Sequence, residues 1–587
     1  MMFRLRALNL SAALMFAAGP ALAQTAAEAS GANALISYRS IFHPVESENG
    51  MVAAQDRLAA EVGRDILKRG GNVVDAAVAT GFALAVTHPQ AGNIGGGGFM
   101  LIKLANRKDV IAIDYREMAP AAATRDMFLD AAGEVDNQRA RFSHLSAGVP
   151  GSVMGLTAAL EKYGTMPLEE VLAPAIRLAD KGFPVTDSLA DALGEYSDRF
   201  KRDPSSVGYF TRKGSAFEQG DILVQKDLAR TLKAIAKSGA KGFYEGPVAD
   251  LIVAEMAASG GLMTHEDLKS YRAVERTAVT GTFRGYEIIS MPPPSSGGVH
   301  LIEMLNVLEG YDLAAMGHNS ADYLGLLVET MRRAYADRSA YLGDPDFFNV
   351  PVEALTSGAY AAKLREQINP KRATKSADVA PGLGPAGESE QTTHYSVMDK
   401  NGNAVAVTTT LNFTFGSSYS VDGAGFLLNN EMDDFSSKPG APNGYGLLGG
   451  LANEIGPRKR PLSSMTPTIV VKDGKAVFAT GTPGGSTIIN IVLQNVLNLL
   501  EFGMNPMQAN ASPKVHHQWQ PDRITAEPGV SLDTIKIMEE RGFIFSRSET
   551  GALQQRPMGR TNTVMLYDGT LLGAADPREP DGGVGAY

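Results

Sequence analysis

Three Asx-Gly dipeptides, Asn401-Gly402, Asp473-Gly474 and Asp568-Gly569, each separate two short runs rich in β-branched residues. Their flanks are Thr392–Val397 and Ala404–Thr410, Thr468–Val471 and Ala476–Thr480, and Asn562–Tyr567 and Thr570–Ala574. An Asx-Gly pair between alternating strands is the strongest short-range hairpin signal, because both residues tolerate the left-handed backbone of a tight turn. The part of the chain after Thr392 is therefore sheet-rich and antiparallel. Two more hairpins are predicted upstream, at Phe99–Leu104 with Val110–Tyr115 and at Ala278–Phe283 with Tyr286–Ser290 around Arg284-Gly285. Between them the pattern turns helical: Asp56–Arg69 stopped by Gly70-Gly71, a more apolar Val73–Val86, most of Gly151–Ala257, Ser320–Leu342, and Ile488–Phe502 ending at Gly503. Hairpins with covering helices in both halves predict stacked antiparallel sheets with helices on their outer faces, an α+β layered fold. No period of 20 to 50 residues marks a repeat array.

At 587 residues the chain is too long for one small core, so two domain-sized units or one large layered unit are expected. A net charge of -10 leaves no basic surface for a phosphate backbone, which argues against nucleic acid as a partner. There is no Cys, which removes disulfides, thiolate catalysis and Cys-based metal sites, leaving hydroxyl, carboxylate, imidazole and amine as the reactive groups. Residues 1–23 carry Arg4 and Arg6, an apolar stretch from Ala7 to Ala18, and Ala21-Leu22-Ala23 before Gln24. They read as a cleaved secretory signal rather than an uncleaved anchor, since the apolar stretch is short of the roughly 20 residues a membrane span needs. The mature protein is expected to be soluble and exported, and periplasmic if the source is Gram-negative.

The stretch Ala373–Gln391, ATKSADVAPGLGPAGESEQ, has almost no large apolar residue and is predicted to be a mobile surface linker. Thr392 follows it directly. A cut between Gln391 and Thr392 would give Thr392 a free α-amine, with an ordinary pKa of about 7.7 to 8.0, beside its own hydroxyl. Nucleophile and general base would then reside on one residue. On spacing alone, Thr392 and Thr393 read as plain β-branched strand residues.

The words that follow decide between these readings. TTHYSVMDKNGNAVAVTTTLN from Thr392, LLNNEMDDFS from Leu427, KRPLSSMTPTIV from Lys459 and GTPGGS from Gly481 strongly resemble the γ-glutamyltranspeptidase family. DYREMAP from Asp114, HHQW from His516 and ADPR from Ala575 match it too, so the resemblance spans the mature chain. It implies a four-layer αββα sandwich of the N-terminal nucleophile hydrolase superfamily, made as a precursor that cuts itself into a large subunit, 24–391, and a small catalytic subunit, 392–587, which stay together as a heterodimer. It also implies transfer of the γ-glutamyl group of glutathione and related compounds through a Thr392 acyl-enzyme to water, amino acids or short peptides.

The same resemblance implies the site residues. Arg116, with a planar fork suited to a carboxylate, and Ser463 and Ser464 would hold the donor's α-carboxylate. Asn412, Glu431 and Asp434 would accept from its α-ammonium; some members carry Gln in place of Glu431, which should adjust donor affinity. Gly484 and Gly485, at a strand-to-helix junction, would supply oxyanion N–H groups. Thr410 would hydrogen-bond the nucleophile. Pro439–Gly449, with Tyr445, resembles a lid over the glutamyl pocket. The sequence shows no cofactor or metal: Gly95–Gly98 lacks the Lys-Ser/Thr of a phosphate loop, His516-His517 on an extended segment would diverge, and His265-Glu266 lacks a second His. Competing expectations are a glutaryl-cephalosporin acylase or poly-γ-glutamate hydrolase of the same superfamily and, from another class, a periplasmic solute-binding protein. Retention of Arg116, Asp434 and the Ser pair argues against the acylase, and the lid against the polymer hydrolase.

Overall fold

The computed structural model describes residues 41–92, 94–381, 392–438 and 450–587. The expected signal segment, Gln391, and the lid with Tyr445 lie outside them. Among the described residues two seven-stranded sheets form the centre. One runs, edge to edge, Val45–Ser47, Thr570–Ala575, Asn562–Tyr567, Lys475–Gly481, Thr468–Lys472, Tyr286–Ser290, Val279–Phe283. The other runs Gly583–Ala586, Gly50–Ala54, Thr393–Asp399, Ala404–Thr410, Gly97–Lys103, Val110–Tyr115, Val274–Thr277. Every pairing in them is antiparallel.

The second sheet is buried on both faces, and side-chain alternation divides its residues between two cores. Val52, Ala54, Met100, Ile102, Tyr395, Val397, Val405 and Val407 pack beneath an outer helical layer that includes Arg57–Lys68, Val73–Thr87, Ser152–Tyr163 and Leu168–Lys181. Their neighbours Met51, Ala53, Phe99, Leu101, Met398, Ala404 and Ala406 face the first sheet. Helices Gly297–Leu308, Ala321–Tyr341 and Thr487–Leu500 cover that sheet's other face. The result is the expected four-layer αββα sandwich.

The turns follow the sequence with one difference. Asp473-Gly474, Asp568-Gly569 and Arg284-Gly285 each have both residues at positive φ, the two-residue hairpin geometry. At Asn401-Gly402 only the Gly is left-handed: the strands stop at Asp399 and restart at Ala404, and Asp399 Oδ1 caps the N–H groups of Asn401 and Asn403. A side-chain acceptor at the strand end therefore lengthens this loop. The predicted helices appear as Arg57–Lys68, capped by Asp56, as Val73–Thr87, as Ala321–Tyr341 and as Thr487–Leu500.

The stretch from Ala373 is not free at its start. Ser376 is fully buried: Arg332 donates to its hydroxyl, its N–H donates to Asp522 at 2.7 Å, and Trp519 Nε1 donates to the carbonyls of Ser376 and Val379. Polar anchors do here what apolar burial could not, and composition alone does not reveal them. Both sheets mix strands from before and after residue 391, and the pair Thr393–Asp399 and Ala404–Thr410 lies near the middle of one. The two predicted subunits are thus not separate domains, and a cut before Thr392 would leave every ladder intact.

Candidate active site

Thr392 immediately precedes the strand Thr393–Asp399. Thr393 pairs with Thr409, so one more step of antiparallel register sets Thr392 opposite Thr410, where the neighbouring strand ends. Beyond that strand Asn412 takes φ 72°, a left-handed backbone that Asn tolerates, and its N–H donates to Thr410 Oγ1 at 2.8 Å. Asn412 Nδ2 donates to the Asn430 carbonyl at 3.0 Å, leaving Oδ1 as that amide's acceptor.

A small pocket of about 10 Å³ unites nearly all the expected residues: Thr392, Thr410, Arg116, Asn412, Glu431, Asp434, Ser463, Ser464 and Gly485 line it. At its floor Arg116 is 1 % exposed. One guanidinium nitrogen bonds Glu431 and another bonds Asp434, while Nε and Nη2 donate to the carbonyls of Pro461 and Leu462. Burial works against the Arg116 charge, but the carboxylates of Glu431, Asp434 and Glu117 outweigh it and raise its pKa. Burial also pushes Glu431 well above the ordinary carboxylate range, against the pull of Arg116. One oxygen each of Glu431 and Asp434 has no hydrogen-bond partner, so the pocket holds acceptors for a cation.

Gly484 and Gly485 join the strand Lys475–Gly481 to the helix Thr487–Leu500 with φ 130° and 55°. A Cβ on Gly484 would lie 2.5 Å from Thr487 Oγ1, so the turn needs glycine. The carbonyl of Gly484 accepts from Thr487 N–H at 3.1 Å. In a trans peptide the next N–H points the opposite way, so Gly485 N–H is aimed away from the helix. Gly485 lines the small pocket and Gly484 a second cavity of about 290 Å³; Thr392 lines both.

Several supporting residues escaped the sequence reading. The run Gly95–Gly98, set aside as a phosphate loop, is a backbone seat for the Thr410 strand: a Cβ on Gly96 would lie 1.9 Å from the Thr410 carbonyl. Asn429 bonds the Gly95 and Gly148 carbonyls and accepts from Glu431 N–H at 3.0 Å, and Asn453 links the Asp434 carbonyl to Leu462 N–H. The acidic turn Glu431–Asp434 is thereby fixed against both glycine run and Ser pair. His516 and His517 are buried, bonded to Asn490 and Asp522, and drawn down by burial to about 3 and 4. Among the described residues no cluster of His and carboxylates suits a metal ion. His88 lines the larger cavity, but burial and then Arg560 draw it to about 4, too weak a base near neutrality.

Arg338 is the most consequential omission. It lies in the helix Ala321–Tyr341, 2 % exposed, and donates from Nη2 to Ser464 Oγ at 3.0 Å. Burial lowers it to about 9, so it remains protonated near neutral pH. A hydroxyl that accepts from a guanidinium cannot donate back to it, so the Ser464 proton is directed elsewhere, and Ser464 faces the pocket. The sequence pattern gives this helix but not the burial of its charges: Glu329, Arg332, Arg333 and Asp337 are all buried with Arg338. Arg338→Met is expected to raise KM for a γ-glutamyl anilide roughly tenfold or more, the worth of a charged hydrogen bond. KM for a 4-aminobutanoyl anilide, which has no α-carboxylate, should change much less; equal changes would make Arg338 merely structural.

The profile of the gamma-glutamyltranspeptidase family matches residues 59–586. The chain belongs to this family. It is 54% identical over 543 residues to a glutathione hydrolase proenzyme of Escherichia coli (strain K12), covering 92% of each chain. Among solved structures, the gamma-glutamyltranspeptidase of Helicobacter pylori is 51% identical and matches with a TM-score of 0.55, over 56% of this chain and 94% of that one. The cephalosporin acylase of Bacillus halodurans, 29% identical, matches with a TM-score of 0.83 over 94% of this chain and 98% of that one. In this gamma-glutamyltranspeptidase family member, no helix among the described residues is long and apolar enough to cross a membrane.

Proposed function

We propose that this enzyme removes the γ-glutamyl group of glutathione and other γ-glutamyl compounds and passes it to water, an amino acid or a short peptide. The observation that carries this reading is the charge layout of the Thr392 pocket, with the Arg116 fork and two Ser hydroxyls beside the acceptors of Glu431, Asp434 and Asn412. An α-carboxylate and α-ammonium on one carbon satisfy both sets together and replace the contacts Arg116 now makes with the two acids. Thr392 Oγ then attacks the γ-carbonyl while the α-amine of Thr392 takes its proton. N–H groups at Gly484-Gly485 bind the oxyanion, the C–N bond breaks, and the leaving amine takes the proton. Water or an acceptor amine reverses these steps on the resulting ester.

The α-amine requires a cut at Gln391/Thr392, giving 24–391 and 392–587 as an interleaved heterodimer. The word proenzyme in the relative's name supports this, as does the solved Helicobacter pylori chain, 94% of which matches 56% of the present one. The leader at 1–23 supports export. The acylase reading has the full-length likeness to a cephalosporin acylase in its favour. It leaves Glu431 and Asp434 without a cation, because a glutaryl group carries no α-ammonium.

Rates on γ-glutamyl, 4-aminobutanoyl and glutaryl anilides separate the two. The γ-glutamyl compound is expected to exceed the glutaryl one by at least about 100-fold in kcat/KM, since a site built for a charged group rejects the analogue lacking it; parity would favour the acylase. Below the raised pKa of Glu431 the carboxyl is neutral and cannot pair with the ammonium. Donor kcat/KM should therefore climb with pH through a limb above the ordinary carboxylate range, and Glu431→Gln should abolish that limb.

A further inference from the structure

The larger cavity on the other side of Thr392 is unaccounted for by the donor pocket. The residues of the small pocket are taken up by the glutamyl end, so the remainder of a peptide donor must project into the cavity of about 290 Å³ that Thr392 and Gly484 also line. An acceptor amine must reach the same carbonyl from that side, because the glutamyl group fills the other.

The charged side chains of this cavity are not balanced. Arg560 pairs with Glu579 at 3.1 Å, and Gln55 also donates to that carboxylate at 3.3 Å. His88 is neutral at working pH. Arg556 is exposed and lines the cavity, and among the described residues its guanidinium has no ion pair. The loop that carries it is held in place: Arg556 N–H donates to the Ala526 carbonyl at 3.2 Å, Met558 N–H to Glu527 at 2.7 Å, and Arg560 N–H to Thr482 Oγ1 at 2.8 Å. Arg578 locks Glu527 in turn through an ion pair, so the downstream ADPR word acts here as a brace for this loop. A fixed loop thus presents one uncompensated guanidinium at the mouth of the reaction centre.

We propose that Arg556 is the residue of this cavity that holds the terminal carboxylate of an amino-acid or short-peptide acceptor. The inference rests on the γ-glutamyl transfer reading above. With the carboxylate anchored, the neutral acceptor amine faces the acyl-enzyme ester. Its nitrogen lone pair forms the new C–N bond, the C–Oγ bond to Thr392 breaks, and one amine proton passes through the Thr392 α-amine to Oγ. A planar fork suits the carboxylate better than a point charge.

The test uses the full-length processed protein, with Arg556→Gln and Arg556→Lys, a γ-glutamyl anilide as donor, and glycylglycine or glycylglycine amide as acceptor. Arg556→Gln is expected to raise the acceptor KM for glycylglycine about tenfold or more and to move that for the amide by less than about twofold. Arg556→Lys should fall between wild type and Arg556→Gln. KM for glutathione as donor should rise in parallel, because its leaving dipeptide ends in the same carboxylate. An unchanged glycylglycine KM, or an equal rise for the amide, would overturn the assignment. Wild-type protein that fails to turn over the anilide at all would instead sink the reading on which it rests.

Discussion

Arg116→Lys should keep a positive charge in the donor pocket and still lose about 10²- to 10³-fold in kcat/KM for a γ-glutamyl donor. Four separate bonds leave the Arg116 guanidinium in one plane, to Glu431, Asp434, Pro461 and Leu462. A lysine ammonium is a point donor with three hydrogens and cannot reproduce that fork or offer a bidentate face to a carboxylate. Arg116→Ala goes further. It strands Glu431, Asp434 and Glu117, all buried, without their cation. Breaking a buried ion pair from one side costs about 3–5 kcal/mol, so the Ala variant should also unfold at lower temperature and denaturant. Steady-state kinetics with a thermal melt separates the two effects: the Lys variant should lose activity with a small change in Tm, and a wild-type kcat/KM in that variant would remove Arg116 from donor binding.

Thr392→Ala is expected to lose at least about 10⁴-fold in turnover, the scale on which removal of a catalytic nucleophile acts. It removes the nucleophile, and without a side-chain hydroxyl at the cleavage point the chain should also stay whole. Thr392→Ser keeps a hydroxyl and should be cut and active, though more slowly. Sodium dodecyl sulfate gels and anilide assays on the same preparations check both halves of the expectation. A cut but inactive Thr392→Ala would mean that cleavage and catalysis use different groups.

Much of this was legible in the sequence because the relevant signals are local. Gly at the turns forces hairpins, alternation fills two cores from one strand, and register then carries Thr392 to Thr410. The candidate pocket was legible only through the family words, since Arg116, Asn412, Glu431 and Ser463 come from separate segments that spacing does not connect. What stayed hidden was support from a distance. Arg338 reaches Ser464 across 126 positions, and Gly96 meets the Thr410 carbonyl as bare backbone. Ser376, in a segment that composition marks as unstructured, is held by Arg332, Asp522 and Trp519 from elsewhere in the chain. Each contact depends on the finished sandwich, and none has a periodicity to betray it.

The central claim is that Thr392 becomes an N-terminal residue and carries the glutamyl group. Intact-mass analysis of the purified wild-type protein, before and after mixing with a γ-glutamyl donor and rapid acid quenching, tests it directly. The account predicts two chains, the smaller beginning at Thr392, and a glutamyl mass increment on that smaller chain alone which an added acceptor amine removes. A single uncut chain that still releases glutamate, or an increment on any residue other than Thr392, would contradict it.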